Sequence, residues 1–147
     1  MYDAVMNNYK MADIIIKAAA VADFTVEDYK DSKIKKENDD FILKLKKTKD
    51  ILLNLGQVKK ENQVLVGFAM ETENLEENAV RKMERKNLDM IVANNLNDEG
   101  AGFLHDTNKV LIISKDEKLS LPLMKKSQLA HEILNKASKI LNNKKGN

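Results

Sequence analysis

The sequence predicts an α/β fold built around a buried, largely parallel β-sheet. Three apolar runs, at residues 14–16, 64–69 and 88–94, lack the strict alternation of a half-exposed strand. Such runs are typical of strands covered on both faces. Because 147 residues with 43% hydrophobic content are enough to bury one core, we expect a single domain over residues 1–147.

Composition argues against several classes of protein. No apolar run approaches the ~20 residues that span a bilayer, and the first residues lack the basic and apolar regions of a signal peptide. The absence of cysteine excludes disulfides and thiolate chemistry, and two histidines are too few for a histidine metal cluster. With 25 basic and 23 acidic residues, charge does not indicate nucleic-acid binding. We therefore expect a cytoplasmic protein with neither a nucleic-acid nor a membrane partner.

Most elements follow directly from periodicity and turn residues. The pattern predicts helices over residues 2–11, 75–86 and 127–141, strands over residues 14–20, 64–69, 88–94 and 109–114, and an extended segment over residues 118–122 after a turn at Asp116 and Glu117. The first helix is expected to place Tyr2, Val5, Met6 and Tyr9 on one face, and the last to bury Leu129, Ile133, Ala137 and Ile140. Residues 144–147 are expected to fray.

Asp23 is the first candidate for chemistry. The small residues 18–20 at the end of the first predicted strand allow close approach to its backbone. Asp23 then falls just past the carboxyl end of that strand, where open α/β sheets bind ligands. The alternative is a tight helix–strand contact in which Asp23 caps a turn.

A polar connection over residues 24–38 follows, and it ends in a lysine-rich stretch at 33–36. A mobile, cationic loop at residues 28–38 would suit a lid over an anionic substrate, and a solvated loop is the alternative. Residues 41–46 alternate as a half-exposed strand, antiparallel or at an edge, that would suit pairing with a second copy of the chain.

Capping residues predict two helix starts, and the first is also a candidate for binding. Thr48 is the expected N-cap of a short helix that Gly56 ends, and its first amides would suit an anion or a base edge; an ordinary capped helix is the alternative. Asn74 is the expected N-cap of the 75–86 helix, with Glu77 completing a capping box and buried positions at 75, 79 and 83.

The charges of the 75–86 helix are informative. Arg81 has Glu77 one turn earlier, whereas Lys82 has no acid three or four residues away and has Lys86 at the next turn. This like-charge pair costs an isolated helix a few tenths of a kcal/mol, roughly. A bound anion would offset that cost, and a solvated basic face is the alternative.

Several stretches match one known family in order and with compatible spacing. They are AAAVADF at 18–24, KIKK at 33–36, KTKDIL at 47–52, VGFAMETENLEENA at 66–79, RKMERKNLDMIVAN at 81–94 and AGFLHDTN at 101–108. On these residues the chain resembles the C-terminal part of phosphopantothenoylcysteine synthetase, also called phosphopantothenate–cysteine ligase, of the bifunctional coenzyme A biosynthesis flavoproteins.

The resemblance implies a fold and a reaction. The fold is a Rossmann-like three-layer α/β arrangement, present here in part, with an antiparallel strand extension that forms a homodimer. The reaction uses CTP and Mg²⁺ to activate the carboxylate of 4′-phosphopantothenate as an acyl-cytidylate. The amine of L-cysteine then attacks to form the amide. No flavin is implied in this chain.

The resemblance also implies a nucleotide-binding set: Lys17, Ala18, Ala19, Asp23, Lys33, Lys49, Asp50, Ile51, Leu52, Phe68, Lys82 and Lys86. The first three would line the site with their backbone, and Asp23 would contact the nucleotide or its divalent cation. Lys33 would be the catalytic lysine that closes on the reacting phosphate. Residues 49–52 would meet the cytosine, with Phe68 beside it, and the last two lysines would grip the triphosphate.

Two departures from the family pattern matter. Residues 48–51 read TKDI where NPDI is common, which leaves the nucleotide preference open. The family's N-terminal portion, with its glycine-rich strand–turn–helix, has no counterpart, so we expect the chain to need that portion, as a separate chain or otherwise, for activity. The alternatives are a non-catalytic nucleotide-binding or dimerisation module, and an unrelated Rossmann-type dehydrogenase fragment. The absent G-x-G-x-x-G argues only weakly against the latter.

Overall fold

The computed structural model describes residues 1–32, 42–98, 100–101 and 105–146. Their helices are α1 (Tyr2–Asn8, continued by a 3₁₀ turn at Tyr9–Met11), α2 (Ile51–Val58), α3 (Leu75–Arg85) and α4 (Lys126–Lys145). Their strands are β1 (Ile14–Lys17), β2 (Phe24–Val26), β3 (Leu45–Lys47), β4 (Val64–Glu71), β5 (Met90–Asn95), β6 (Thr107–Ser114) and β7 (Lys118–Lys125). Within these residues no helix is long and apolar enough to cross a membrane.

The chain divides into two compact units. The first comprises Met1–Ala18 and Ile51–Asn147 and contains a five-stranded sheet in the order β1–β4–β5–β6–β7. β1, β4 and β5 run parallel, and β6 and β7 are added antiparallel. The second unit comprises Ala19–Asp50 and contains the two-stranded ribbon of β2 and β3.

Helices cover both faces of the five-stranded sheet. Alternate residues of β4 and β5, among them Val66 and Val92, form a buried cluster with Ile133 and Ala137 of α4. The intervening residues face α2 and α3, where a Cβ at Gly67 would lie within 3 Å of leucine side chains. The result is the predicted three-layer α/β arrangement.

Several predicted elements are confirmed and others are adjusted. The predicted face of α1 is half-buried, and the predicted inward residues of α4 are buried, except for the half-buried Ile140. β1 ends at Lys17 rather than at residue 20. It is half-buried along its length because it is an edge strand of the sheet. The prediction that this strand is buried on both faces was therefore wrong.

The ribbon of the second unit corrects the prediction for residues 24–46. Phe24–Val26 forms a strand where a polar connection was expected, and it pairs antiparallel with Leu45–Lys47. The predicted strand over residues 41–46 is therefore shorter and begins later, although its antiparallel pairing is confirmed; Phe41 lies outside the described residues. The strand residues other than Val26 are exposed.

The predicted helix ends were partly wrong. Thr48 is not an N-cap, because its hydroxyl donates to the carbonyl of Ala22 at 2.7 Å and α2 begins at Ile51. Gly56 does not stop α2, which continues to Val58. Asn74 occupies the N-cap position of α3 with φ +49° and makes no capping hydrogen bond with its side chain.

The C-terminal end of α4 does not fray as predicted. The helix continues through Lys144 and Lys145. Lys144 Nζ lies 2.6 Å from Asp89 Oδ1, and Lys145 Nζ lies 2.9 Å from Asp13 Oδ1. These contacts anchor the last turn to the amino ends of the parallel strands.

Candidate functional site

A cluster of cationic side chains lies on the α3 side of the sheet. Lys17 is the last residue of β1, Lys82 lies in the last turns of α3, and Lys86 immediately follows that helix. Side chains on a helix lean toward its N-terminus. Because α3 starts beyond the carboxyl end of β4, the Lys82 side chain leans toward the edge at which α/β sheets bind ligands.

The electrostatics of Lys82 identify its neighbours. Burial lowers the pKa of its ammonium group below the ordinary value of 10.5, and the charge of Lys86 lowers it further. Glu71, the last residue of β4, opposes this shift, while Lys17 and Arg85 add to it. The charged form of Lys82 is therefore disfavoured, because it is half-buried among three other cations and one acid.

Such a cluster suits a polyanion. A phosphate chain would supply the negative charge that Lys82 lacks, and lysine ammonium groups act as point charges that tolerate a flexible triphosphate. As predicted, Lys82 has no acid three or four residues away along its own helix. The acid that does face it, Glu71, was missed because it belongs to the preceding strand.

Three hydrogen bonds hold the start of α3 in place. Asn78 Nδ2 donates to Glu71 Oε2 at 3.2 Å and to the carbonyl of Glu73 at 3.0 Å. Arg81 donates to Asn78 Oδ1 at 2.6 Å, a contact that the predicted pairing with Glu77 did not include. The Glu71 carboxylate is thus held by an amide at the start of the helix that carries Lys82.

Of the residues predicted to meet the base, Phe68 lies apart from Ile51 and Leu52. Ile51 and Leu52 start α2 with buried side chains, and Leu52 packs over Gly67, so only their backbone is available for a ligand. Phe68 lies on the opposite face of the sheet, packed against the core cluster that α4 covers. The structure therefore does not bring the Phe68 side chain to the face that carries the lysine cluster.

The remaining predicted residues are distributed as follows. Ala18 is an exposed residue of the first unit, directly after β1. The second unit contains Ala19, Asp23, Lys49 and Asp50, all exposed. In that unit the backbone carbonyl of Asp23 accepts a hydrogen bond from the amide of Thr48 at 2.9 Å. Asp23 itself is exposed. Lys33, the predicted lid lysine, and residues 34–38 of the predicted lid lie outside the described residues.

Comparison with known proteins decides the family. The model of the DNA/pantothenate metabolism flavoprotein C-terminal domain matches residues 1–141. The chain belongs to this family. The resemblance inferred from the sequence is thereby confirmed.

Relatives in this flavoprotein family share the same region. The coenzyme A biosynthesis bifunctional protein CoaBC of Bacillus subtilis is 51% identical over 135 residues, which cover 91% of this chain and 33% of that protein. A cysteine/cysteine sulfinic acid decarboxylase of an unknown prokaryotic organism is 46% identical, over 92% of this chain and 38% of that protein. The chain thus spans about a third of the length of these relatives.

A solved structure shows the same fold. The crystal structure of the C-terminal domain of CoaBC matches with a TM-score of 0.77 and 36% identity, covering 97% of this chain and 61% of that one. The flavoprotein-family domain in this chain therefore corresponds to part of a larger solved domain.

Proposed function

We propose that this chain is the nucleotide-binding part of a CTP-dependent ligase that joins 4′-phosphopantothenate to L-cysteine through an acyl-cytidylate in coenzyme A biosynthesis. The observation that carries the proposal is the cationic cluster around half-buried Lys82 in a member of this family. Activating a carboxylate on a phosphate requires charge neutralisation and in-line positioning more than a general base. Lys17, Lys82 and Lys86 would neutralise the triphosphate.

Asp23 is the proposed protein ligand of Mg²⁺. Among the described residues no group of three acidic, histidine or cysteine side chains forms a metal cage. Mg²⁺ in nucleotide enzymes is usually held by one or two carboxylates together with substrate phosphates. An exposed carboxylate that follows the first parallel strand fits that pattern, and the bound cation would neutralise charge on the phosphates.

Lys33 is the proposed catalytic lysine of a lid over the reacting phosphate. This assignment rests on the family resemblance of residues 33–36. Ala18 and Ala19 would approach the nucleotide through their backbone, and residues 49–52 would meet the base at the start of α2. Backbone contacts there would tolerate the sequence change at residues 48–49.

Complete activity would need the family's N-terminal portion. Two observations support this. The chain covers 61% of the solved domain that it matches. In addition, β1 is an edge strand of the five-stranded sheet among the described residues, a place where a further strand could be added.

The ribbon of β2 and β3 is the proposed homodimer contact. A two-stranded ribbon is marginally stable by itself. Phe24 and Leu45 are more than half exposed on it, and Ile42 and Leu43 are more than half exposed beside it. Exposed apolar side chains concentrated in this way mark an interaction surface. A second copy of the chain would cover them.

Thermal unfolding with and without CTP, ATP and Mg²⁺ tests the proposal. Ligand at about 100 times its Kd stabilises by ~2.7 kcal/mol, which corresponds to a rise in Tm of roughly 5–10 °C for a chain of this size. We expect that rise with CTP and Mg²⁺ together, a smaller one with ATP, and none in Lys82→Ala. The control, Lys60→Ala, removes the same charge at the amino end of β4 and is expected to keep the full shift. Equal shifts in both variants would refute the proposed site, and no shift in the unaltered chain would favour a non-catalytic dimerisation module.

A further inference from the structure

The C-terminal turns of α2 and α3 touch at Gly56. A Cβ at this position would lie 1.9 Å from the carbonyl oxygen of Lys86 and 2.9 Å from its carbonyl carbon. Real Cβ atoms do not come within 3.0 Å of such atoms. Glycine is therefore required for this approach, and the backbone it contacts belongs to one of the lysines proposed to bind the triphosphate.

Asn87 also connects the end of α3 to Gly56 of α2. Its side-chain amide donates to the carbonyl of Gly56 at 2.7 Å, which ties the end of α3 directly to α2. Its backbone has φ +50°, and its amide donates to the carbonyl of Glu84 while that of Leu88 donates to Met83. These two hydrogen bonds close α3 in a Schellman motif, which fixes the direction of its last turn.

We propose that Gly56 and Asn87 are positioning residues of the nucleotide site. They hold the last turn of α3 against α2 and so set where Lys86, and one turn earlier Lys82, present their ammonium groups. The junction also connects α2, whose first residues are proposed to contact the base, with α3, whose C-terminal end carries the lysines proposed to bind the phosphates. This inference rests on the proposed function, because it concerns the same lysines.

The affinity test compares two asparagines with the same backbone conformation at opposite ends of α3. Asn87→Gly keeps the positive φ and removes the tether to Gly56. Asn74→Gly makes the same change at the N-terminal end, where φ is +49° and the side chain makes no capping hydrogen bond. In calorimetric titration with CTP and Mg²⁺, we expect Asn87→Gly to weaken Kd about tenfold, the order of one weakened hydrogen bond to a charged group. Asn74→Gly is expected to leave Kd unchanged.

Gly56→Ala provides an independent perturbation of the junction. It is expected to weaken Kd at least as much as Asn87→Gly, because the added methyl group displaces the carbonyl of Lys86. If this variant does not fold, Asn87→Gly carries the test. A folded Asn87→Gly protein with a lowered Tm and an unchanged Kd would overturn the proposal, since the junction would then serve only stability.

A second readout does not depend on nucleotide. The titration of the Lys82 ammonium group can be followed by NMR of its ε-carbon in the unliganded chain. We expect the pKa of Lys82 to move toward its ordinary value in Asn87→Gly, because Lys86 is released from its fixed position, and to stay in place in Asn74→Gly. If the unaltered chain does not bind CTP, the proposed function fails, and this titration alone decides the positioning role. An unchanged Lys82 pKa in Asn87→Gly would overturn it.

Discussion

Removing the charge of Asp89 is expected to destabilise the chain strongly. Asp89 precedes β5, and its Oδ2 accepts hydrogen bonds from Lys59 Nζ at 2.7 Å and from the amide of Leu65 at 2.8 Å. Its Oδ1 lies 2.6 Å from Lys144 Nζ, which also donates to the carbonyl of Gln63 at 2.9 Å. One carboxylate thus joins the end of α2, the start of β4 and the last turn of α4.

The expected loss in the free energy of unfolding follows from the burial of these side chains. Breaking a buried ion pair by removing one partner costs about 3–5 kcal/mol. The side chains of Asp89 and Lys59 are 12% and 8% exposed, whereas Lys144 is 25% exposed and gains partial solvation when its partner is lost. Asp89→Asn keeps an oxygen acceptor for the Leu65 amide, so we expect a loss of about 2–4 kcal/mol in the free energy of unfolding.

Urea denaturation measures this loss against a matched control. Asp13→Asn removes the partner of the adjacent Lys145, but that pair is 47% and 62% exposed. Such a surface pair contributes about 0–1 kcal/mol. The expected order is a large loss for Asp89→Asn and almost none for Asp13→Asn, with equal m-values. A loss of less than about 1 kcal/mol at Asp89, or similar losses at both positions, would refute the reasoning.

Three further predictions concern the proposed site. Lys82 binds a polyanion only as the ammonium ion. The affinity for CTP and Mg²⁺ is therefore expected to fall as the pH rises through the lowered pKa of Lys82, beginning below 10.5, and Lys82→Arg should extend binding to higher pH. An affinity that does not change with pH in calorimetry would contradict this. Lys33→Ala is expected to slow turnover of the acyl-cytidylate, measured after the N-terminal portion is supplied, far more than it weakens nucleotide binding, whereas equal losses would exclude the lid role. Leu43→Asp beside the ribbon is expected to convert a dimer to a monomer in analytical ultracentrifugation, and an unchanged Leu43→Asp dimer would refute the proposed contact.

Local patterns were sufficient for the layered core. The spacing of Leu129, Ile133 and Ala137 correctly predicted the buried face of α4 because one face of a helix repeats every three to four residues. The ribbon was harder to predict. Phe24–Val26 is three residues long and mostly exposed, so neither length nor alternation distinguishes it from a loop. The persistence of α4 to Lys145 depends on acids far away in the sequence, which helix-end rules do not include.

The candidate site was also predicted only where the signal is local in sequence. Lys82 and Lys86 were found because their charges conflict within one helix, a local signal. Glu71 was not found, since only the packing of α3 beside β4 brings it toward Lys82. Gly56 was read as a helix stop because glycine commonly ends helices. Its observed role is a close contact with Lys86, which the sequence does not reveal.

The central claim is that Lys82 contacts the phosphates of a bound nucleotide. Its most direct test is the NMR titration of the Lys82 ammonium group with and without CTP and Mg²⁺. The lowered pKa of Lys82 is expected to rise when the nucleotide binds, because negative phosphate charge favours the ammonium form. A saturated complex in which the Lys82 pKa stays at its unliganded value would contradict the account.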